Sequence, residues 1–511
     1  MSSVRVIQTG KTEEFLAESD ESLLDVLRRN GVSVTAPCGG NGTCGKCRVT
    51  LRANGAETSV LACRTAVTED CEVVLETAEG GVICADGTGE PLRADHGRSG
   101  FGAAVDLGTT TVAVKLFDLA DGTEIGSASA WNAQAPYGGD VITRCQFCME
   151  RQDGLQILGG LIRRQIRELV EEICRKQGVS IHDVKEGYLA GNTVMQHIAF
   201  GLSPAGIAVA PFKPETLFEQ NETLAMDPLM FRCAPCVAGY VGGDITAGLL
   251  ASGLNEKKGL SLFLDVGTNG EMALGGADGF LSCAVASGPA FEGAGISCGM
   301  ASTAGAVSHV RWNGSEPELD VIGGGEPKGI CGSGLLDLLA MLLDLGIVDE
   351  SGYLLPPEEA PGGFEAWLEE DEDGNGIFFL TDEVYFTAAD VRQLQLAKAA
   401  VAAGISVLMR EAKVSFDEIE SLVLAGGFGS HMSAESAVAI GMLPEALLEK
   451  IVCVGNSSLT GASMALLSEE KRQELLKIQK NCNYLELSGN SAFNLLFPEH
   501  MTFDKEESPW N

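Results

Sequence analysis

The chain has 511 residues and a formal net charge of −36, with 71 acidic side chains against 35 basic ones. Such a field repels nucleic acid and anionic membrane surfaces, so neither is expected as a partner. An apolar content of 45% at this length implies at least two domains with packed cores and excludes a solvated disordered chain.

The first residues, MSSVRVIQTG, lack the apolar stretch of a secretory leader. The most apolar run, residues 334–348, is interrupted by Asp337 and Asp344 and is too short to span a bilayer. A cytoplasmic location is expected, where the 16 cysteines stay reduced.

Residues 4–8 alternate as a strand, and 13–18 can pair with them across a turn. Residues 21–31, ESLLDVLRRNG, read as a short helix with Leu23, Leu24 and Leu27 on one face and Asn30-Gly31 closing it. The loop APCGGNGTCGKCRV follows, carrying Cys38, Cys44 and Cys47, and Cys63 comes fifteen residues later. Four thiolates suit either a tetrahedral zinc or an iron–sulfur cluster. A single CxxC pair and a wide, glycine-filled first gap favour the cluster, and the reducing compartment argues against a disulfide knot. Further strands are expected at 47–51 and 71–76, with Cys71 a core residue of the latter. This order of elements resembles the β-grasp fold of plant- and adrenodoxin-type [2Fe–2S] ferredoxins over residues 1 to about 80. The resemblance implies that Cys38 and Cys44 hold one iron and that Cys47 and Cys63 hold the other.

Residues 85–100, ADGTGEPLRADHGRSG, have the composition of a linker. Beyond it the chain repeats itself. AAVDLGTTTVAVKLFDLADG (103–122) is echoed by LFLDVGTNGEMALGGADG (262–279), and EGYLAGNT (186–193) by SLVLAGGFG (421–429). A long amphipathic helix precedes each of the latter, at 155–177 and 389–413. Two such halves imply a two-lobed α/β fold with a cleft between the lobes. A strand–turn–strand with backbone amides and Thr hydroxyls can cradle phosphate, and its Asp can hold Mg²⁺ through water.

The duplicated pattern resembles the actin, sugar kinase and Hsp70 superfamily (ASKHA), with its duplicated RNase H-like lobes. By that resemblance Asp106 with Gly108, Thr109, Thr110 and Thr111 forms one phosphate turn, and Asp265 with Gly267, Thr268 and Asn269 the other. Gly426 and Gly427 then contact adenosine. The expected division is a ferredoxin-like domain at 1–84, the linker at 85–100, an ATPase domain at 101–467 and a C-terminal tail at 468–511. Within the ATPase domain, lobe I runs over about 101–255 and lobe II over about 259–467.

A cluster domain fused to such an ATPase resembles the reductive activators of corrinoid proteins. So do NAQAPYGGDVITR (132–144), LAGNTVMQH (189–197), VGGDITAG (241–248), ASGPAFEGAGISCGM (286–300) and GICGSGLLD (329–337). The resemblance implies an enzyme that uses ATP and Mg²⁺ to return one electron to a corrinoid partner whose cobalt has fallen to Co(II), restoring Co(I). That step is uphill from a ferredoxin-like centre at about −400 mV. It also implies a low-potential electron donor and a homodimer through the ATPase half. Two features depart from parts of the family. The short linker leaves no room for an additional middle domain, and the tail, with one cysteine, cannot hold [4Fe–4S] repeats. A redox-sensing nucleotide-binding module and a small-molecule kinase are the alternatives on the same fold.

Asp244 either orients the hydrolytic water, holds Mg²⁺, or caps a helix. Ser333 either touches phosphate at a helix N-terminus or is another cap. The pairs Cys145/Cys148 and Cys233/Cys236 read as buried small residues, with a joint metal site or a redox pair as the sharper readings. His431 and the acidic stretch 369–376 are read as solvated loops.

Overall fold

The alternation at residues 4–8 is realised as β1 (Ser2–Gln8), which pairs antiparallel with β2 (Lys11–Ala17). The computed structural model describes residues 2–75, 92–504 and Trp510, apart from 9–10, 19–20, 33, 35, 37, 43–44, 54–55, 221, 227–228 and 430. Cys44, the expected linker's first residues (85–91) and residue 76 of the expected strand therefore lie outside the described residues.

Helix α1 (Leu23–Arg29) starts where the Ser22 side chain accepts from the Asp25 amide, and it ends at Asn30. Its Leu23, Leu24 and Leu27 are buried against Val4, Val6 and Val73, each leucine contributing roughly 1.5–3 kcal/mol by leaving water. With β3 (Arg48–Ala53), β4 (Ala56–Leu61) and β5 (Cys71–Leu75) the sheet order is β2-β1-β5-β3-β4, and β1 and β5 run parallel.

The next half comprises β6 (Phe101–Leu107), β7 (Thr111–Asp118), β8 (Glu124–Trp131), α2 (Val141–Glu150), α3 (Gly154–Gln177), β9 (Val184–Gly191), α4 (Thr193–Phe200), the short α5 (Ala205–Ala208), β10 (Thr223–Met226), β11 (Leu229–Cys233) and α6 (Gly243–Ala251). The last half begins with β12 (Leu260–Val266), β13 (Gly270–Gly276) and β14 (Gly279–Val285). It continues through β15 (Ala306–Trp312), β16 (Pro317–Val321), β17 (Gly329–Ile330), α7 (Gly332–Asp344), β18 (Leu368–Glu370), β19 (Gly376–Phe379) and β20 (Tyr385–Thr387). It closes with α8 (Ala388–Ala412), β21 (Ile419–Ala425), α9 (Gly426–Gly429), α10 (Ala434–Ala439), β22 (Ile451–Cys453), α11 (Ser457–Leu467), α12 (Glu469–Lys480), β23 (Cys482–Tyr484) and α13 (Ser491–Glu499).

The duplication is visible in the two large sheets. One runs β10-β11-β9-β6-β7-β8 and the other β22-β21-β12-β13-β14-β23. In each, the D-x-G-T hairpin lies beside a parallel strand ending in small residues, so Asp106 aligns with Ala190 and Asp265 with Ala425. Side chains alternate between faces along each strand. Ala103, Val105 and Leu107 pack outward against α3, and Leu262 and Leu264 join the outer core that includes α8. Ala104 and Phe263 face a layer formed by α6, α11 and α12. Asp106 and Asp265 continue that inward series two residues further on, so both carboxylates point toward the layer between the sheets.

Two expectations change. Helix α11, expected within lobe II, packs its Leu459, Ala462 and Leu466 into the layer shared with α6 and both sheets. The chain crosses back because small residues let these helices close in: a Cβ on Gly461 would lie 2.1 Å from the Ala247 carbonyl oxygen. Residues 468–511, expected as a tail, contain α12, α13 and β23, and β23 extends the second large sheet beside β14. Leu475 and Ile478 are buried and fold that segment onto the body.

Candidate functional site

The cysteine loop is built by turns that glycine permits. Gly40 and Gly42 hold φ of +101° and +75°, a region that other residues enter only at a cost of about 1–2 kcal/mol. The β3–β4 hairpin then returns the chain, the Ala62 amide donates to the Cys47 carbonyl at 2.8 Å, and the Cys47 and Cys63 sulfurs lie 3.2 Å apart. That separation is too long for a disulfide and suits two thiolates turned toward one shared centre. Cys38 stands at the head of the same loop, partly buried, with the Gly39 amide turned back to Ala36. The donor set and the glycine wrapping fit a [2Fe–2S] cluster. Cys71 is partly buried beside this core, and burial pushes its thiol up.

The cleft between the lobes gathers carboxylates. Asp106 accepts from Asn456 Nδ2 at 2.9 Å and from Ser458 Oγ at 2.7 Å, both at the start of α11. Burial pushes its carboxyl up, and those two bonds oppose the shift. Asp244 lies in the first turn of α6, whose N-cap is Gly242. Its Oδ1 accepts only from the neighbouring Ile245 amide among the described contacts, so it does not cap the helix. Burial, with Asp265 and Asp106 adding negative charge, pushes Asp244 up to about 7. Asp265 is likewise pushed up to about 7, by burial and then by Asp106.

Three further groups emerge that the sequence reading did not single out. Glu271 faces Asp265 directly across the β12–β13 pair, and burial followed by Asp244 and Asp265 raises its carboxyl well above the usual range. Glu292 joins the two phosphate-type turns: Thr110 Oγ1 donates to its Oε2 at 2.9 Å and Thr268 Oγ1 to its Oε1 at 3.2 Å. Arg144, wholly buried, donates from Nη2 to the Thr109 carbonyl at 2.6 Å, and burial lowers its guanidinium to about 10. A polar residue inside the apolar strand GEMALGG and the glutamate in GPAFEG were the available signals for the two acids.

The expected nucleotide glycines sit at the same cleft. Gly426 holds φ +81°, and a Cβ there would lie 2.5 Å from Asp265 Oδ1. Around Gly427 the space is open, as a surface for a flat ring requires. Phe428 stacks on Phe291 at 5.0 Å beside it. The Gly267 amide closes the second turn on the Asn269 carbonyl.

Ser333 follows Gly332, which packs against Phe291 and Phe428 at the edge of this arrangement. The Ser333 hydroxyl donates to the Ser308 carbonyl at 2.8 Å, and the N-cap of α7 is Cys331, so Ser333 is the second residue of the helix and not its cap. Cys145 belongs to one buried cluster and Cys233 with Cys236 to another. Burial pushes Cys145 and Cys236 up to about 12, as expected of core thiols. Among the described residues, no three His, Cys, Asp or Glu side chains converge to share one metal ion. His431 is exposed, and residues 369–376 form the tip of the β18–β19 hairpin. Among the described residues, no helix is long and apolar enough to cross a membrane.

Known proteins match this chain along its length. A family described as a 2Fe-2S iron-sulfur cluster binding domain matches residues 6–68, the RACo middle region matches 101–257, and the C-terminal domain of RACo, the ASKHA domain, matches 259–510. The corrinoid activation enzyme RamQ of Eubacterium limosum is 28% identical over a 571-residue alignment covering 94% of this chain and 96% of the relative. The [Co(II) methylated amine-specific corrinoid protein] reductase of Methanosarcina barkeri is 24% identical, covering 77% of this chain and 75% of the relative. A solved structure of a reductive activator for corrinoid, iron-sulfur protein superposes with a TM-score of 0.72 at 30% identity, covering 99% of this chain and all of that one. The N-terminal domain thus carries a [2Fe–2S] site, and the C-terminal part is an ASKHA domain, a nucleotide-binding fold. On these matches and on the fold that carries them, the chain belongs to the family of reductive activators of corrinoid proteins.

Proposed function

We propose that this protein uses ATP to return one electron to the Co(II) of a corrinoid protein partner, restoring the Co(I) needed for methyl transfer. The observation that carries the reading is the inward convergence of Asp106, Asp244 and Asp265 beside two hydroxyl-lined turns, on a chain that also bears the cysteine loop. Cys38, Cys44, Cys47 and Cys63 would hold the [2Fe–2S] cluster, which when bound supplies single electrons at low potential.

The turn amides and hydroxyls of Gly108–Thr111 and Gly267–Asn269 hold the phosphates, and Gly426 with Gly427 gives the adenosine a flat seat. Three carboxyls raised by burial ionise more readily beside a cation, which supports Mg²⁺ held through water by Asp106 and Asp265. Asp244, poised near 7, can accept a proton from the attacking water at neutral pH. Nucleotide drives the transfer only by binding one conformation better than another. Residues 1–84 carry the electron, 85–100 tether them, and the two lobes from 101 onward respond to nucleotide. We place the protein in the cytoplasm, as a homodimer fed by a low-potential donor.

The test is optical. Protein, Co(II)-corrinoid partner, low-potential reductant, Mg²⁺ and ATP together should build the Co(I) spectrum, and omission of ATP should abolish it. Equal Co(I) formation without ATP would refute the reading.

A further inference from the structure

One unbroken run of contacts joins the cysteine loop to the first phosphate turn. On the ferredoxin side, Arg28 of α1 donates from Nη2 to the Pro136 carbonyl, and its guanidinium lies 5.3 Å from the centre of the Tyr137 ring. It also lies close enough to Cys38 and Cys47 to feel their charge. Gly39 presses on the same segment: a Cβ there would stand 3.0 Å from Thr143 Cγ2 and 3.4 Å from the Tyr137 carbonyl oxygen. Lys46, between Cys44 and Cys47, reaches the Ile296 carbonyl at 3.4 Å. The cysteine loop is therefore seated on the ATPase domain.

The underside of that seat is wired to the nucleotide turn. Arg144 grips the Gly138 carbonyl at 3.0 Å, Gln134 Oε1 at 3.2 Å and the Thr109 carbonyl at 2.6 Å. Asn132 adds bonds to the Gly108 and Thr110 carbonyls at 2.8 and 2.9 Å. Arg144 has no exposure, so water cannot replace a lost partner, and it must follow the Thr109 peptide or leave a charged donor unpaired.

The turn cannot stay as it is when phosphate arrives. The Glu292 carboxylate now bridges the Thr110 and Thr268 hydroxyls, and two anions do not share one cradle. Displacing Glu292 frees the Thr110 side chain, next to the Thr109 peptide whose carbonyl Arg144 holds. The docked state is also incompletely satisfied, because Arg28 Nε is buried without a hydrogen-bond partner among the described residues.

We propose that residues 134–143 are a docking seat for the chain's own [2Fe–2S] loop, and that phosphate bound at Thr109–Thr111 releases the loop through Arg144. The proposal rests on the nucleotide reading above. Release exposes the face of the loop that the seat covers, making it available to a protein partner only when nucleotide is bound. By linkage, a seat that nucleotide opens must also weaken nucleotide binding while closed.

The experiment uses the holoprotein and two readouts: the rate at which an iron chelator bleaches the visible cluster spectrum, and the affinity for a non-hydrolysable ATP analogue with Mg²⁺. Arg28→Gln loosens the seat from the ferredoxin side. Tyr137→Ala loosens it while leaving the cluster domain intact, which separates undocking from damage to the loop. Arg5→Gln, on the far side of the ferredoxin sheet beside Glu72, controls for lost charge. In the unaltered protein the analogue should speed bleaching by about fivefold or more, the lower end of ordinary coupling between sites. Both seat variants should bleach fast without nucleotide and bind the analogue about fivefold more tightly, and Arg5→Gln should behave as the unaltered protein does. A bleaching rate indifferent to saturating analogue, or seat variants with unchanged analogue affinity, would overturn the coupling. If no protein bound the analogue, the nucleotide reading would fall and the coupling with it. The seat itself would then be judged by the nucleotide-free bleaching rates of the two variants.

Discussion

Asp265 and Glu271 stand directly opposite each other in the antiparallel register of β12 and β13. Like charges in that position repel by roughly 0.2–1 kcal/mol even on an open sheet, and here both are buried beside Asp244. The equivalent place in the first lobe pairs Asp106 with Ala113. The second lobe therefore carries an added carboxyl, held protonated well above the usual range by burial and its acidic neighbours, whose ionisation a bound cation would favour.

Glu271→Gln should stabilise the protein in the absence of Mg²⁺ by about 1 kcal/mol at alkaline pH, where Glu271 is driven to ionise, read as a higher midpoint of thermal unfolding. The same change should weaken Mg²⁺-nucleotide binding by about tenfold, equivalent to about 1.4 kcal/mol. A lower melting point in chelator would show instead that Glu271 serves packing.

The pH dependence follows from Asp244 and Asp265, both pushed up to about 7 by burial, with Asp265 and Asp106 adding to the shift of Asp244 and Asp106 to that of Asp265. Between the unfolded value near 4 and the folded value the native state binds more protons, so stability falls as pH rises through that window and flattens above it. Unfolding scans without metal should therefore show a declining midpoint from pH 5 to pH 7. Mg²⁺, which needs the ionised acids, should restore more at pH 8 than at pH 6.

Glu292→Gln keeps the shape of the bridge between Thr110 and Thr268 but removes the anion. Nucleotide affinity should hold or improve, while ATP-dependent activation falls by about tenfold or more because arriving phosphate no longer meets an anion whose displacement would move the turn. Equilibrium binding and turnover measured on one preparation separate these effects.

Gly426→Ala should cost both stability and nucleotide binding. The residue holds φ +81° and leaves no room for a Cβ beside Asp265, so strain alone contributes about 1–2 kcal/mol. Gly427→Ala, in open space, should leave the melting point within about 0.5 kcal/mol of the original yet still impair adenosine binding.

Local patterns made much of this legible. The period-two strands, the capped helix at 23–29 and the D-x-G-T repeat each announce themselves within a few residues, and the structure realises them. Convergence across the fold was not legible in the same way. Asn456 and Ser458 reach Asp106 from 350 residues away, and nothing in GNSSLTG beyond an N-cap points there. Glu292 acts by spanning two turns 158 positions apart, Thr110 and Thr268. Ser333 shows the limit of a local motif: the cap of α7 is Cys331, two positions before it, and its hydroxyl donates to the Ser308 carbonyl on β15.

The central claim is that nucleotide at the carboxylate-lined cleft controls electron delivery to the corrinoid partner. A single-turnover stopped-flow experiment tests it most directly, mixing pre-reduced protein, without free reductant, with Co(II)-corrinoid partner and following Co(I) absorption. The account predicts one equivalent of Co(I) with Mg²⁺-ATP, little without it, and little for Asp265→Asn although its cluster spectrum is intact. Co(I) forming at the same rate without nucleotide, or in Asp265→Asn, would contradict it.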